Sequence, residues 1–410
     1  MRPFAKQFRL KAGLQTASTM STPLPTGRHF LQIPGPANVP DRVLRAMAQP
    51  LIDHRGPEFS ELTRSILERL QIVFSTSGPV IVYPASGHGA WEAALTNTLS
   101  PGDKVLAFEN GQFATKWSQV AENLRLSVDL VSGDWRRGVD NAVLAEKLAS
   151  DRNHEIKAVI AVHTETSTGV TNAIGDIRST MDRTGHPALL MVDAVSSLAT
   201  TEYRHDEWAV DVTVSASQKG LLLPPGLSFN AISEKALRAS EQAKLTNSYW
   251  NWKPILSFNE RGFFPYTPAT SLLFGLDASL GMLLEEGLEN VSARHARLAE
   301  ATRRAVHAWG LEVQCSESQC HANSVTGVRM PLDHDADTLR KTVLDRFNMS
   351  LGKGLGKVEG RLFRIGHLGD FNELMLAATL SGVEMGFGLT GVPHQTGGVQ
   401  AALEFLVASC

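Results

Sequence analysis

From residue 80 onward, short apolar runs alternate with longer stretches whose apolar positions recur at helical spacing. The runs at 80–83, 104–108, 127–131, 157–162, 188–192 and 210–214 predict strands. Helices are predicted over 88–99, where Trp91, Ala94, Leu95 and Leu99 share a face, and near 113–124, 140–150 and 174–184. Such alternation argues for βαβ units and a largely parallel sheet. The runs are largely apolar, as expected of strands buried on both faces.

After Phe229-Asn-Ala-Ile-Ser the pattern changes. A loop rich in aromatics and proline (249–268) leads to a long helical region over 270–309, interrupted at Glu286-Gly287. Residues 324–390 read as a smaller α+β unit with a strand at 361–365. The expected organisation is an N-terminal extension or arm (1–28), a large domain (29–287), a small domain (288–395) and a C-terminal tail (396–410).

The chain has 410 residues, 43% hydrophobic and 20% charged, the balance of an ordinary globular protein with a sizeable core. A net charge of −3 leaves no electrostatic footprint for nucleic acid. No apolar run is long enough to span a bilayer. Cys315, Cys320 and Cys410 form no disulfide framework, and no histidine motif suggests a metal, so a reducing, cytoplasmic setting is expected. Arg2, Lys6, Arg9 and Lys11, with no acid in the first 40 residues, loosely resemble a mitochondrial transit peptide. An upstream start codon before Met20 accounts for them equally well.

Four places could carry chemistry. Lys219 follows the run 210–214 and an uncharged stretch, and a desolvated lysine is a nucleophile toward a pyridine aldehyde. Asp193 closes the run 188–192, at the sheet edge where ligands of open α/β folds bind, and a carboxylate there can keep a ring nitrogen protonated. Ser86-Gly87-His88 opens a helix directly after a strand, a place for a phosphate. Arg364 lies inside an apolar strand and could grip a carboxylate with two hydrogen bonds. Each has a plainer explanation: a snorkelling lysine, a helix cap, a tight turn, an edge ion pair. Their order along the chain is the stronger sign: anion turn, ring acid, lysine, distant arginine.

Pro34-Gly-Pro-Ala-Asn38, Ser86-Gly-His88, Asn110-Gly111, His163-Thr-Glu-Thr-Ser-Thr-Gly169, Val192-Asp-Ala-Val-Ser-Ser197, Ser215-Ala-Ser-Gln-Lys219, Pro224-Pro-Gly226 and Arg364-Ile-Gly366 stand in that order. In this the chain resembles the class V (fold-type I) aminotransferases, of the serine/alanine–glyoxylate group, over roughly 28–390. The resemblance implies an α/β fold with a mostly parallel seven-stranded sheet, a smaller C-terminal α+β domain, and pyridoxal 5'-phosphate as cofactor. It implies that Lys219 carries the cofactor and moves the proton, that Asp193 pairs with the ring nitrogen, and that Val195 and Phe113 pack on the ring. Ser86, Gly87, His88 and Gln218 would hold the phosphate, and Thr166 would approach the ring hydroxyl. Gly35 and Arg364 would bind the substrate carboxylate. Thr267 would reach the phosphate of a partner subunit, making the enzyme a homodimer with shared sites.

Two positions depart from the mammalian-type alanine enzymes: Phe113 stands where they have tryptophan, and Phe264 where they have the tyrosine that crosses the dimer, with Tyr266 as a substitute. The implied reaction moves an amino group from serine, alanine or aspartate to a 2-oxo acid, glyoxylate foremost. The main alternative is a cysteine desulfurase or other lyase on the same fold, with Cys320 as mobile nucleophile. Against it, Gln218 precedes the lysine where desulfurases have histidine. A sensor or regulator would need an appended binding module, and no basic helix-turn-helix stretch is visible.

Overall fold

The computed structural model describes residues 27–409. The resemblance of residues 1–20 to a transit peptide lies outside that range, as does Cys410. Among the described residues, thirteen strands form three sheets. In chain order they are β1 (Phe30–Gln32), β2 (Val80–Tyr83), β3 (Lys104–Phe108), β4 (Ser127–Val131), β5 (Ile156–Val162), β6 (Thr164–Glu165), β7 (Val170–Thr171), β8 (Leu189–Asp193), β9 (Val212–Ala216), β10 (Ser228–Ile232), β11 (Val325–Arg329), β12 (Met349–Lys353) and β13 (Leu362–Gly366).

The main sheet has seven strands in the order β2-β10-β9-β8-β5-β3-β4. All its pairings are parallel except the two made by β10. Side chains of β2, β3, β5 and β8 alternate between two apolar layers. Val82, Leu106, Val159 and Val192 face a cluster with Phe59, Leu70 and Leu276 from the helices Pro57–Phe74 and Thr270–Glu286. Ile81, Val105, Ile160 and Met191 face one with Trp91, Trp117 and Trp252. Double coverage explains why the strands read as unbroken apolar runs.

The strand β10 escapes a search for such runs because Ser228 and Asn230 interrupt it. Both are buried, and Asn230 is satisfied by the Tyr83 hydroxyl and the Ala90 carbonyl. A polar residue with its hydrogen bonds met can occupy a central strand. The long helical region divides into Thr270–Glu286 and Leu288–Ala308, separated at Gly287.

A second sheet runs β1-β12-β13-β11, with β1 parallel to β12. The segment Phe30–Gln32, expected within the large domain, thus lies in the sheet of the C-terminal unit. The tail expected over 396–410 contains the helix Gly398–Ala408, whose Ala402 and Leu406 enter a cluster with Leu298, Trp309, Phe363 and Phe387. These two terminal pieces are short, and only their distant partners give their apolar residues a place to be buried. Leu380 sits fully buried in that cluster. Leu380→Ala should cost about 2–5 kcal/mol in equilibrium denaturation; an unchanged midpoint would contradict this core.

Candidate active site

A cavity of ≈ 270 Å³ opens where the C-terminal ends of β5 and β8 meet the turns after β2 and β9. Gly35, Ser86, Gly87, His88, Phe113, Thr166, Asp193, Val195, Gln218 and Lys219 all line it. Residues spread over more than 180 positions of sequence therefore share one wall.

The anion turn comes first. Ser86 is the N-cap of the helix Gly87–Thr98, yet its side chain makes no capping bond. Gly89 and Ala90 donate back to the Ser86 carbonyl, while the N–H groups of Gly87 and His88 have no partner among the described residues. A helix start with open N–H groups favours an anion. A Cβ at Gly87 would lie 3.1 Å from Val195 Cγ2, closing the cradle. Gln218 lines the same cavity, and its side-chain amide NH2 is a further donor for an anion. The set fits a phosphate.

Asp193 ends β8, 3% exposed. Its Oδ1 accepts from the Val195 N–H at 2.7 Å and its Oδ2 from the Trp91 indole N–H at 2.9 Å. It forms no ion pair among the described residues. Burial pushes its carboxyl up to about 7 against those two hydrogen bonds. A buried carboxylate without a counter-cation is costly, and a cationic ring nitrogen would relieve it.

Lys219 lies beyond the end of β9, in the turn Ser217–Gly220 rather than in the strand. It is 7% exposed, and its Nζ donates to the Pro34 carbonyl. Burial brings its ammonium down to about 7, with the charge of Arg364 acting in the same sense. An amine so placed is largely available as a nucleophile near neutral pH. Gly35 packs against it with φ +104, and a Cβ there would come within 2.6 Å of Nζ. Only glycine fits that position.

Arg364 projects from β13, an inner strand of the second sheet. Its Nε donates to the Lys353 carbonyl at 2.8 Å and its Nη1 to the Thr166 carbonyl at 2.9 Å. No partner is recorded for Nη2 among the described residues. Arg364 is not in the cavity wall itself, but its charge reaches Lys219.

Glu165, inside the motif His163-Thr-Glu-Thr-Ser-Thr-Gly169, has a structural role that the motif itself does not reveal. It is fully buried in the hairpin of β6 and β7. Its Oε2 accepts from the N–H groups of Phe113 and Ala114, and its Oε1 from the Ser167 N–H and hydroxyl. It thereby caps the helix Gln112–Asn123 that carries Phe113. A signal existed: Glu165 is the sole acidic or basic residue (His163 aside) between Lys157 and Asp176. Trp91, read from sequence as one position of a helix face, also lines the cavity.

The residues expected to cross a dimer lie elsewhere. Phe264 is buried against Phe59 of its own chain, ring centroids 6.2 Å apart. The Tyr266 hydroxyl donates to the Val82 carbonyl. Thr267, between them and the next helix, is exposed and outside this chain's own cavity. Trp250 and Trp252 are packed in the interior, donating to Glu92 and Tyr83.

A two-part α/β chain with a buried lysine and aspartate facing one cavity and a helix-start anion cradle defines a pyridoxal-phosphate-dependent fold-type I transferase. Comparison with known proteins narrows this. The family model described as aminotransferase class-V matches residues 29–355. A serine–glyoxylate aminotransferase of Arabidopsis thaliana is 47% identical, covering 93% of this chain and 96% of that protein. An L-aspartate–glyoxylate aminotransferase of Paracoccus denitrificans is 42% identical, covering 92% and 96%. The crystal structure of a ureidoglycine–glyoxylate aminotransferase from Bacillus subtilis superposes with a TM-score of 0.87 at 26% identity, covering 94% of this chain and 100% of that one. The chain belongs to the class-V aminotransferases. It is an aminotransferase, and its cofactor is pyridoxal phosphate.

The Asp193 carboxyl gives a pH test of this geometry. Between its ordinary value of 3.8 and about 7, the folded chain keeps a proton that the unfolded chain has released. That group therefore makes stability fall as pH rises through the interval. In the cofactor-free protein, Asp193→Asn should lose less stability than the parent between about pH 5 and about pH 8, on the order of 1 kcal/mol or more. Parallel denaturation curves at both pH values would argue against a buried, proton-retaining Asp193.

Proposed function

We propose that this enzyme moves the amino group of a small L-amino acid (serine, alanine or aspartate) to glyoxylate, releasing glycine, by a ping-pong reaction. The observation that carries the proposal is the convergence of Lys219, Asp193 and the open turn Ser86–His88 on one cavity, with Arg364 beside it. The donor and acceptor classes rest on the names of the relatives from Arabidopsis thaliana and Paracoccus denitrificans.

Bound in the cavity, pyridoxal phosphate supplies an aldehyde that takes up the amino group and a cationic ring that draws electrons from the substrate carbon. The chain supplies the rest. The N–H groups of Gly87 and His88, with Ser86 and Gln218, hold the phosphate. Of the residues lining the cavity, Asp193 would keep the ring nitrogen protonated, Val195 and Phe113 would pack on the ring, and Thr166 would approach the ring hydroxyl. Arg364 Nη2 takes the substrate carboxylate beside the Gly35 backbone, fixing the orientation of the Cα–H bond. Lys219, whose burial makes a neutral amine accessible near pH 7, removes the Cα proton and holds it for return. The donor leaves as its 2-oxo acid. Glyoxylate then occupies the same carboxylate site.

Lyase chemistry through Cys320 has little support. Burial pushes that thiol up to about 11, it donates to Glu317, and it lies outside the cavity wall. A thiol that keeps its proton is a poor nucleophile. No helix among the described residues is long and apolar enough to cross a membrane. Cytoplasmic residence is the reading we adopt, on the free thiols Cys315 and Cys320. We also propose a homodimer in which the exposed Thr267 enters the partner's phosphate site.

Lys219→Ala should lower turnover by about a thousandfold or more and remove the visible absorbance of lysine-bound cofactor; retention of that band would discharge Lys219 from its role. Arg364→Lys should raise KM for donor and acceptor alike, roughly 10- to 100-fold, since lysine cannot reproduce the fork. A panel of serine, alanine and aspartate against glyoxylate and pyruvate tests the substrate assignment; no turnover with glyoxylate would refute it. In a dilution series, activity should fall with sedimentation to monomer, whereas a fully active monomer would rule out shared sites.

A further inference from the structure

Trp91 is a different kind of tryptophan from its neighbour. The two indoles stack at 12° with centroids 5.9 Å apart, both buried. Trp117 Nε1 has no hydrogen-bond partner, so that ring fills space. Trp91 Nε1 donates to Asp193 Oδ2 at 2.9 Å, across 102 positions of sequence. The Trp91 ring is also held by the His88 ring at 4.5 Å and the Phe113 ring at 6.5 Å. With Trp117 on its face and these rings beside it, the indole has little freedom to turn its N–H elsewhere.

We infer that Trp91 is a positioning residue for amino transfer: its indole N–H fixes the plane of the Asp193 carboxylate and sustains its charge toward the cofactor ring nitrogen. The inference rests on the assignment of Asp193 to that nitrogen made above. The Val195 N–H, donated at 2.7 Å from the turn after β8, holds the other oxygen. Two rigid elements, that turn and the helix Gly87–Thr98, thus each engage one oxygen of the carboxylate. The Trp91 bond further ties the ring acid to the element that opens the phosphate turn, so nitrogen and phosphate would be gripped in fixed relation.

A hydrogen bond donated to an ionised carboxylate favours the ionised form. Without it the shared proton moves from the ring nitrogen toward Asp193, and the ring becomes a weaker electron sink. The other groups that act on Asp193 are Glu165 from the β6–β7 hairpin, Lys219 from the turn after β9, and Tyr203. His88 packs against the indole and feels the charge of Lys116. None of these is removed when the indole N–H is lost.

The test uses cofactor-loaded protein and two readouts: the pH midpoint of the bound cofactor's visible absorbance, and steady-state turnover. Trp91→Phe keeps an aromatic ring and deletes the donor. Its midpoint should rise by about one pH unit, because a less positive ring withdraws fewer electrons from the attached nitrogen. Turnover should fall about tenfold, the worth of one hydrogen bond to a charged group, with KM little changed and a larger isotope effect on Cα-deuterated serine. Trp117→Phe, which deletes an unpaired N–H, should leave the midpoint in place. An unmoved midpoint in Trp91→Phe, or an equal shift in Trp117→Phe, overturns the inference. Asp193→Asn separates the two layers: if it too leaves the midpoint unmoved, the assignment of Asp193 to the ring nitrogen falls instead. Should Trp91→Phe not fold, benzothienylalanine at position 91 keeps the indole shape without the N–H.

Discussion

The site depends on how one buried carboxylate is satisfied. Glu165 is fully removed from water, and an unpaired charge there would be prohibitive. Four donors reach it: the N–H groups of Phe113, Ala114 and Ser167 and the Ser167 hydroxyl. Ser167 Oγ in turn accepts the Gln112 N–H, so the open end of the helix Gln112–Asn123 is closed by the β6–β7 hairpin. The residue between these two, Thr166, faces the cavity and offers its carbonyl to Arg364. One tight turn thus fixes the Phe113 ring, the Thr166 side chain and the orientation of the Arg364 guanidinium.

The charges around the cavity form a graded set. Asp193 and Lys219 are both buried, and burial moves each toward its neutral form. Neither completes an ion pair among the described residues; the lysine is held by the Pro34 carbonyl and the aspartate by two N–H donors. Arg364 stays cationic, although burial lowers it to about 10. A cavity built this way is preorganised for a ligand that brings its own positive ring, its own phosphate and a carbonyl carbon. The protein has met the desolvation cost in folding, so little reorganisation remains at the reaction itself.

The second sheet contributes through its position. Arg364 sits on an inner strand, and β1 joins that sheet before the chain passes into the Pro34-Gly35-Pro36 loop against Lys219. The carboxylate grip and the lysine's acceptor therefore belong to the same body. Lys357, between β12 and β13, reaches Glu109, just beyond the end of β3, at 2.6 Å, and Trp135 packs with Val358 and Leu362. Contacts of this kind register the arginine against the cavity far more strictly than a flexible loop could.

Much of the main sheet could be read from the chain alone, because doubly buried strands must be apolar along their whole length. The strands β2, β3, β5 and β8 stand out for that reason, whereas β9 and the partly buried edge strand β4 alternate apolar with polar residues and show by that alternation. The seventh, β10, is masked by Ser228 and Asn230, and the burial of Asn230 depends on partners that no local pattern reveals. Lys219, Asp193, Ser86 to His88 and Arg364 were legible as unusual residue types at element ends, and their order carried the family. Three things were decided by tertiary structure. Thr267 is exposed while Phe264 and Tyr266 are retained by their own chain. Glu165 became a cap, and Trp91 became the partner of Asp193. Periodicity records which side of an element meets the core. A hydrogen bond between residues 102 or 198 positions apart leaves no such trace, because it is made only when distant strands and helices are brought into register.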